Sequence, residues 1–234
     1  MKIAFFVEGQ TERIFVEKFL GEYFGIHNIE ILIQKNLGYR GIELIGERKS
    51  LNARYYVLIF DASGDGSITS AVKERAEKMI NESGYSFIIA LHDLYRNERS
   101  QKKSVIEAFY KLFDSYLFKH QIKLILAIME IEAWFLADYN LFSRINPEMT
   151  NAAIKEKLGY DLANDNSELY EHPSSIINEI FRLYGKSYKK RKDDSYKIAY
   201  NIDYNYMCCS EDILNKITSW KFFLNSINTC FSNS

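Results

Sequence analysis

Acidic residues recur in this sequence directly after short apolar runs. Carboxylate oxygens are the ligands that hard divalent ions such as Mg²⁺ or Mn²⁺ prefer. Several carboxylates at one place repel one another unless cations or protons neutralise them. Bound divalent ions can activate water and stabilise a leaving oxygen, the chemistry of phosphodiester cleavage. The acids that end apolar runs in this way are Glu8, Asp61, Asp93 and the pair Glu130 and Glu132.

The apolar runs before these acids have the length and composition of buried strands. Strands are predicted at residues 3–7, 29–33, 55–60, 86–91 and 122–129. Apolar residues at helical spacing predict helices at 12–23, 68–81 and 104–118 between them. This alternation predicts an α/β fold with a largely parallel sheet covered by helices. Parallel strands end along one edge, where open α/β sheets bind ligands, so the acids can meet there.

The pattern of the sequence changes after Asp138. The remainder has helical patterns and loops rich in Asn, Ser and Tyr, without a convincing strand. We therefore predict an α/β domain at residues 1–142 and a helical C-terminal portion at 143–234 that packs on it. Residues 38–49 are interpreted as a polar, flexible connection because they contain several glycines and charged side chains.

Composition limits the classes of protein that fit. The chain has 234 residues, is 47% hydrophobic and carries a formal net charge of −1. With so little net charge, the protein has no overall electrostatic attraction to nucleic acid or membranes. A polyanion would therefore have to bind at a local basic patch. The three cysteines form no CxxC motif. With no secretory signal and no apolar run long enough to span a bilayer, the expected location is the cytoplasm.

Ordinary structural roles compete with the catalytic ones. Glu8 precedes a helix, where an acid can serve only to stabilise the helix N-terminus. Thr11 is the expected cap of that helix, and Glu12 either faces the same metal as Glu8 or is a first-turn acid. Asp61, and with less support Asp65, lies in a Gly/Ser-rich loop where Asp favours turns.

The spacing of Glu130 and Glu132 leaves two alternatives. Two residues apart, their carboxylates share one face if the backbone is extended. If the backbone is already helical they point apart, and only one can be a ligand. His92, beside Asp93, is more consistent with a structural role.

The densest basic cluster lies late in the chain and is interleaved with tyrosines. It can follow a phosphate backbone while tyrosines stack on bases, or it can be an ordinary solvated face. Arg96, near Asp93, can neutralise a scissile phosphate or form a surface ion pair. The candidate nucleic-acid contacts are Arg96, Lys186, Lys189, Lys190, Arg191 and Lys192.

Five segments of the chain resemble motifs of a known family. Residues 7–12 (Val-Glu-Gly-Gln-Thr-Glu) resemble the first motif of TOPRIM domains, in the form found in OLD-type nucleases. A nearer resemblance is to a TOPRIM-like family often encoded beside ATPases in bacterial phage-defence loci. Its later motifs are matched by residues 93–96, by 130–138 (Glu-Ile-Glu-Ala-Trp-Phe-Leu-Ala-Asp) and by His172-Pro173 with 188–190. The resemblance extends from Lys2 to about Asp203.

The resemblance implies a Rossmann-like TOPRIM sheet that holds Mg²⁺ or Mn²⁺ and cuts nucleic-acid phosphodiesters. Position 95 is Tyr where TOPRIM proteins usually have a second Asp, which weakens the prediction of two fully coordinated metals. The residues expected to be catalytic are Glu8, Asp93 and Glu132. The expected metal ligands are Glu8, Glu12, Asp61, Asp93, Glu130 and Glu132.

The resulting prediction is a metal-dependent nuclease that acts as the effector of an anti-phage defence system. DNA and RNA, tRNA included, are both conceivable substrates. The chain has no Walker A motif, so the ATPase that the resemblance implies must be a separate chain. No membrane is expected, and a homodimer is compatible with the prediction. The alternative is a catalytically idle TOPRIM-like module that binds a partner or nucleic acid.

Overall fold

A six-stranded sheet forms the centre of the computed structural model, which describes residues 1–64 and 67–232. Asp65 lies outside the described residues. The strand order is β3-β2-β4-β1-β5-β6, and every neighbouring pair is parallel except β2 and β3. The predicted largely parallel sheet is confirmed. The strands are β1 (Lys2–Val7), β2 (Ile29–Asn36), β3 (Ile42–Arg48), β4 (Tyr55–Asp61), β5 (Tyr85–Asp93) and β6 (Ile122–Ala127).

Helices cover the sheet and make up the C-terminal portion of the described chain, as predicted for the fold class. Three helices alternate with the strands: α1 (Gln10–Phe24), α2 (Ser67–Asn81) and α3 (Lys102–Lys111). The helices that follow β6 are α4 (Glu132–Ala137), α5 (Leu141–Ile145), α6 (Asn151–Leu158), α7 (Pro173–Arg182), α8 (Lys192–Ala199), α9 (Tyr204–Cys209), α10 (Glu211–Lys216) and α11 (Thr218–Ser232). None of these helices is long and apolar enough to cross a membrane.

The two faces of the sheet bury two separate hydrophobic clusters, because side chains alternate along each strand. Ala4 and Phe6 of β1 join the cluster beneath α2 and α3. Phe5, on the other face, joins a larger cluster that contains α1 and most of the C-terminal helices. Trp220 of α11 belongs to this second cluster and is fully buried. One core therefore contains residues from both sides of the boundary near residue 142, which itself stays a prediction.

Two predictions about local structure were wrong. Residues 38–49 are not only a flexible connection, since Ile42–Arg48 form the edge strand β3, antiparallel to β2. This strand is mostly exposed and carries charged residues, so its pattern resembles that of a loop. The helix predicted at 104–118 ends at Lys111, and a turn follows it.

The sheet register places the acids at one edge. Val7 pairs with Asp61 on one side and with Leu91 on the other, and Asp93 pairs with Ala127. The carboxyl ends of β1, β4, β5 and β6 are therefore adjacent.

Candidate functional site

A cavity of about 540 Å³ lies at the carboxyl ends of these strands. Most of the acids predicted from the sequence line it, and they come from β4, β5, α1 and the segments after β1 and β6. Glu132 is fully buried and is not part of the lining. The acids in the lining are Glu8, Glu12, Asp61, Asp93 and Glu130.

Glu8 and Asp93 connect three segments of the chain. Oε1 of Glu8 accepts a hydrogen bond from the backbone N–H of Asp93 at 2.9 Å, and it also contacts Nδ1 of His92. Oδ1 of Asp93 accepts from the backbone N–H of Ile131 at 2.9 Å. These bonds hold the ends of β1 and β5 against the start of α4. His92, interpreted from sequence as structural, therefore lies against the carboxylate of Glu8.

Glu12 both closes the first turn of α1 and lines the cavity. Its Oε2 accepts a hydrogen bond from the backbone N–H of Gly9, the N-cap residue, at 3.0 Å. The expectation that Thr11 caps this helix was wrong. Thr11 lies inside the helix, and its hydroxyl bonds to that of Ser195 on α8 at 3.1 Å.

Burial and mutual repulsion shift the pKa values of two acids upward. Burial, together with the negative charge of Glu132, raises the pKa of Glu12 to about 7. Burial also raises the pKa of Asp93 well above its usual range, with added repulsion from Glu12 and Glu132. The nearby ammonium group of Lys190 opposes both shifts but does not cancel them. Negative charge at this place is thus only partly compensated.

Three carboxyl groups each have one oxygen that is not used in a hydrogen bond to the described residues. Among the described residues, no hydrogen bond reaches Oε2 of Glu8, Oε1 of Glu12 or Oδ2 of Asp93. Hard oxygen donors with excess negative charge suit a divalent ion such as Mg²⁺ or Mn²⁺. In residues 1–64 and 67–232, however, no three His, Cys, Asp or Glu side chains are arranged to hold an ion. The residues fit a metal in chemistry, and coordination would require side-chain rotation.

Glu130 and Glu132 bind a lysine. Nζ of Lys190 lies 2.9 Å from Oε1 of Glu130 and 3.0 Å from Oε2 of Glu132. Glu130 precedes α4 and Glu132 is its first residue, so a turn directs both carboxylates to one ammonium group. This arrangement is neither the extended nor the purely helical alternative considered from the sequence.

Further polar groups donate hydrogen bonds to Glu130 and Glu132. Ser174 donates to Glu130 from its backbone N–H and its hydroxyl, both at 2.8 Å, and the hydroxyl of Tyr188 donates to Glu132 at 2.8 Å. Burial would raise the pKa of Glu130, but Lys190 and Ser174 outweigh it and lower that pKa. Glu132 is more deeply buried, and burial raises its pKa despite the same lysine. Burial would lower the pKa of Lys190, but the two acids raise it.

Asp61 lines the cavity but has protein partners for both oxygens. Oδ1 accepts from the backbone N–H of Ser63 at 3.0 Å, and Oδ2 lies 3.6 Å from Nε of Arg13. The turn role considered from the sequence is therefore present, and Asp61 is a weaker candidate ligand than Glu8 or Asp93.

The predicted basic cluster is divided by the structure. Four of its members, Lys186, Lys189, Arg191 and Lys192, are exposed on the loop between α7 and α8 or at its end. Lys190 instead turns into the acid site, with φ of 54°. Arg96 is exposed at a neighbouring cavity. The sequence did not indicate that Lys190, Tyr188 and Ser174 contact the acids, since 42 or more residues separate them from Glu132.

A family model described as "Domain of unknown function (DUF4276)" matches residues 7–212. The chain belongs to this family. The DUF4276 match includes every candidate site residue named above. No curated protein matches the chain.

Two solved structures are similar to this DUF4276 protein over most of its length. One is the C-terminal region of the Burkholderia pseudomallei OLD protein, with 14% identity, a TM-score of 0.42, and coverage of 96% of this chain and 98% of that one. The other is the C-terminal region of the Xanthomonas campestris pv. campestris OLD protein, with 12% identity, a TM-score of 0.41, and 97% coverage of each chain. At these values the similarity carries no argument about activity.

Proposed function

We propose that this protein is a nuclease that uses Mg²⁺ or Mn²⁺ to cleave nucleic-acid phosphodiesters. The observation that carries the proposal is the convergence of Glu8, Glu12 and Asp93 on one cavity whose negative charge is only partly compensated. The resemblance of residues 7–12 to the first TOPRIM motif supports it independently. Exposed basic side chains on the same loop as Lys190 support a polyanionic substrate.

Glu8, Glu12 and Asp93 are the residues that would hold the ion. When bound, it would supply a Lewis acid that activates water and stabilises the leaving oxygen. Glu8 is suited to take a proton from that water, because its Oε2 has no hydrogen bond among the described residues while the backbone N–H of Asp93 holds Oε1. Nζ of Lys190 forms ion pairs with both Glu130 and Glu132, so we assign these two acids to holding the lysine rather than a metal.

The biological role in this proposal rests on the resemblance alone. It makes the protein the effector of an anti-phage system with a separate ATPase subunit. DNA and RNA are both open as substrates at this stage.

The decisive experiment compares wild-type protein with Glu8→Gln on plasmid DNA, single-stranded DNA and tRNA in Mg²⁺ or Mn²⁺. Glu107→Gln, an exposed substitution on α3, is the matched control. We expect cleavage by wild type and the control, and none by Glu8→Gln or in EDTA. Cleavage that survives Glu8→Gln and EDTA would contradict the proposal.

A second candidate function is a catalytically idle binding module. It is favoured by Tyr95 at the position of a usual TOPRIM acid and by Lys190, which already pairs with two of the acids. A metal titration separates the two: an idle module shows neither cleavage nor a rise in melting temperature with Mg²⁺ or Mn²⁺. Metal binding without cleavage indicates a nuclease that requires its partner.

A further inference from the structure

Tyr95 stands between two cavities. It lines the acid cavity and also a second one of about 380 Å³. Arg96, Arg99 and His172 are among the residues that line the second cavity. Tyr95 is 42% exposed, although Asp93, two residues earlier, is buried. A large aromatic residue is therefore presented to solvent directly beside the acid site.

The backbone around Tyr95 is held in an uncommon conformation. The N–H of Asn97 bonds to the carbonyl of Leu94 at 3.0 Å, which makes Tyr95 and Arg96 the central residues of a turn. Arg96 has φ of 75° and Met129 has φ of 63°, values that usually favour glycine. The N–H of Tyr95 bonds to the carbonyl of Met129 at 2.7 Å. Such conformations in non-glycine residues tend to occur at functional sites.

The ring of Tyr95 contacts His172 and remains partly exposed to solvent. The ring of His172 lies 5.9 Å away at an interplanar angle of 76°, an edge contact that leaves ring surface accessible. Arg99 stiffens the adjoining wall, since it donates to the carbonyls of Glu168 at 2.9 Å and Tyr170 at 2.8 Å. An exposed, oriented aromatic ring next to cationic side chains is how many proteins stack an unpaired base.

We propose that Tyr95 stacks on the base next to the phosphate in the acid cavity, and that the second cavity receives this nucleotide. The inference rests on the proposed function and names its substrate class, which is single-stranded nucleic acid. A base inside a duplex is stacked on its neighbours and paired, so it cannot lie on Tyr95 without leaving the helix. Tyr95 then acts in substrate recognition, at a position where TOPRIM proteins usually have an acid.

The test measures binding without turnover, in the Glu8→Gln background with Ca²⁺. The probe is a single-stranded oligonucleotide with one 2-aminopurine, made as DNA and as RNA, and its duplex serves as comparison. We expect 2-aminopurine quenching and tight binding for the single strand only. Tyr95→Ala should abolish the quenching and weaken binding about tenfold, and Tyr95→Phe should preserve both. Tyr56→Ala, which removes a tyrosine of similar exposure (44%) on β4, is the matched control.

Three results would overturn the inference. The first is unchanged binding by Tyr95→Ala. The second is a loss of binding in Tyr95→Phe equal to that in Tyr95→Ala, which would indicate a role for the hydroxyl group. The third is equal binding of duplex and single strand. Because the readout is binding, failure here is separable from failure of the proposed function, which is judged by metal-dependent cleavage. If wild type cleaves but Tyr95→Ala keeps the same ratio of single-strand to duplex cleavage, the nuclease stands and the stacking role is wrong.

Discussion

Nζ of Lys190 lies 3.0 Å from Oε2 of Glu132, a residue 58 positions earlier that is fully buried. The lysine enters the site on the loop between α7 and α8, and its backbone carbonyl is 3.4 Å from Nε2 of Gln10. The helical C-terminal portion therefore contributes directly to the acid site at the sheet edge. This relationship leads to the first of four predictions.

Lys190→Met should destabilise the protein by about 2 kcal/mol. The change leaves the carboxylates of Glu130 and Glu132 without their cation, which is costly for buried acids. The side chain of Lys190 is 37% exposed, so the loss should be smaller than for a fully buried pair. Urea unfolding measures it. Lys186→Met, on the same loop but exposed, should change the free energy of unfolding by less than about 0.5 kcal/mol. Equal effects of the two substitutions would contradict the assignment.

The metal-free protein should lose stability as pH rises through the range set by Glu12. The pKa of this group is 4.5 ordinarily and about 7 in the folded state, so between these values the folded protein binds more protons than the unfolded chain. Its free energy of unfolding therefore falls with rising pH, by up to roughly 3 kcal/mol from this group. The raised pKa of Asp93 acts in the same direction.

Melting temperatures from pH 4.5 to 8 test this, with Glu12→Gln as the comparison because its side-chain oxygen can still accept from Gly9. The melting temperature should fall less steeply with rising pH in Glu12→Gln than in wild type. Mg²⁺ should raise the melting temperature of wild type most at the upper end, since the ion requires deprotonated ligands. Parallel profiles for the two proteins would show that Glu12 is not the titrating group.

Glu168→Ala should cost about 2–4 kcal/mol because Glu168 caps α11 from within the core. Its carboxylate accepts four hydrogen bonds, from the backbone N–H and the hydroxyl of both Thr218 and Ser219. Removing it leaves buried donors unsatisfied, and Ser219 also accepts from the indole N–H of Trp134 at 2.7 Å. Thermal or urea unfolding measures the loss. Ser210→Ala, which removes the N-cap of α10, should cost only about 1 kcal/mol.

Charge removal on the loop after α7 should weaken nucleic-acid binding in a salt-dependent way. Lys189→Ala and Arg191→Ala each remove an exposed cation near Lys190, while their backbone N–H groups still bond to Asp194. Each should reduce the slope of log binding constant against log salt by about 1. Fluorescence anisotropy at several salt concentrations gives the slope. Lys103→Ala on α3 is the control, and an equal change there would refute a specific contact.

Much of the architecture could be predicted from the sequence, because strand and helix patterns are local. The apolar run before Glu8 and the helical spacing after it fixed β1 and α1 within a few residues. The same periodicities predicted β4, β5 and the parallel sheet edge at which Asp61 and Asp93 end. The edge strand β3 was missed, because a strand with little buried surface has no apolar alternation.

The sequence alone also determined which acids could meet, since parallel strands bring their carboxyl ends together whatever the loops between them do. Only the tertiary structure decided how the acids differ. It left the negative charges of Glu12 and Asp93 poorly compensated, and it paired Glu130 and Glu132 with Lys190. The physical reason is that burial and charge pairing depend on contacts between distant segments, which no local pattern in the chain encodes.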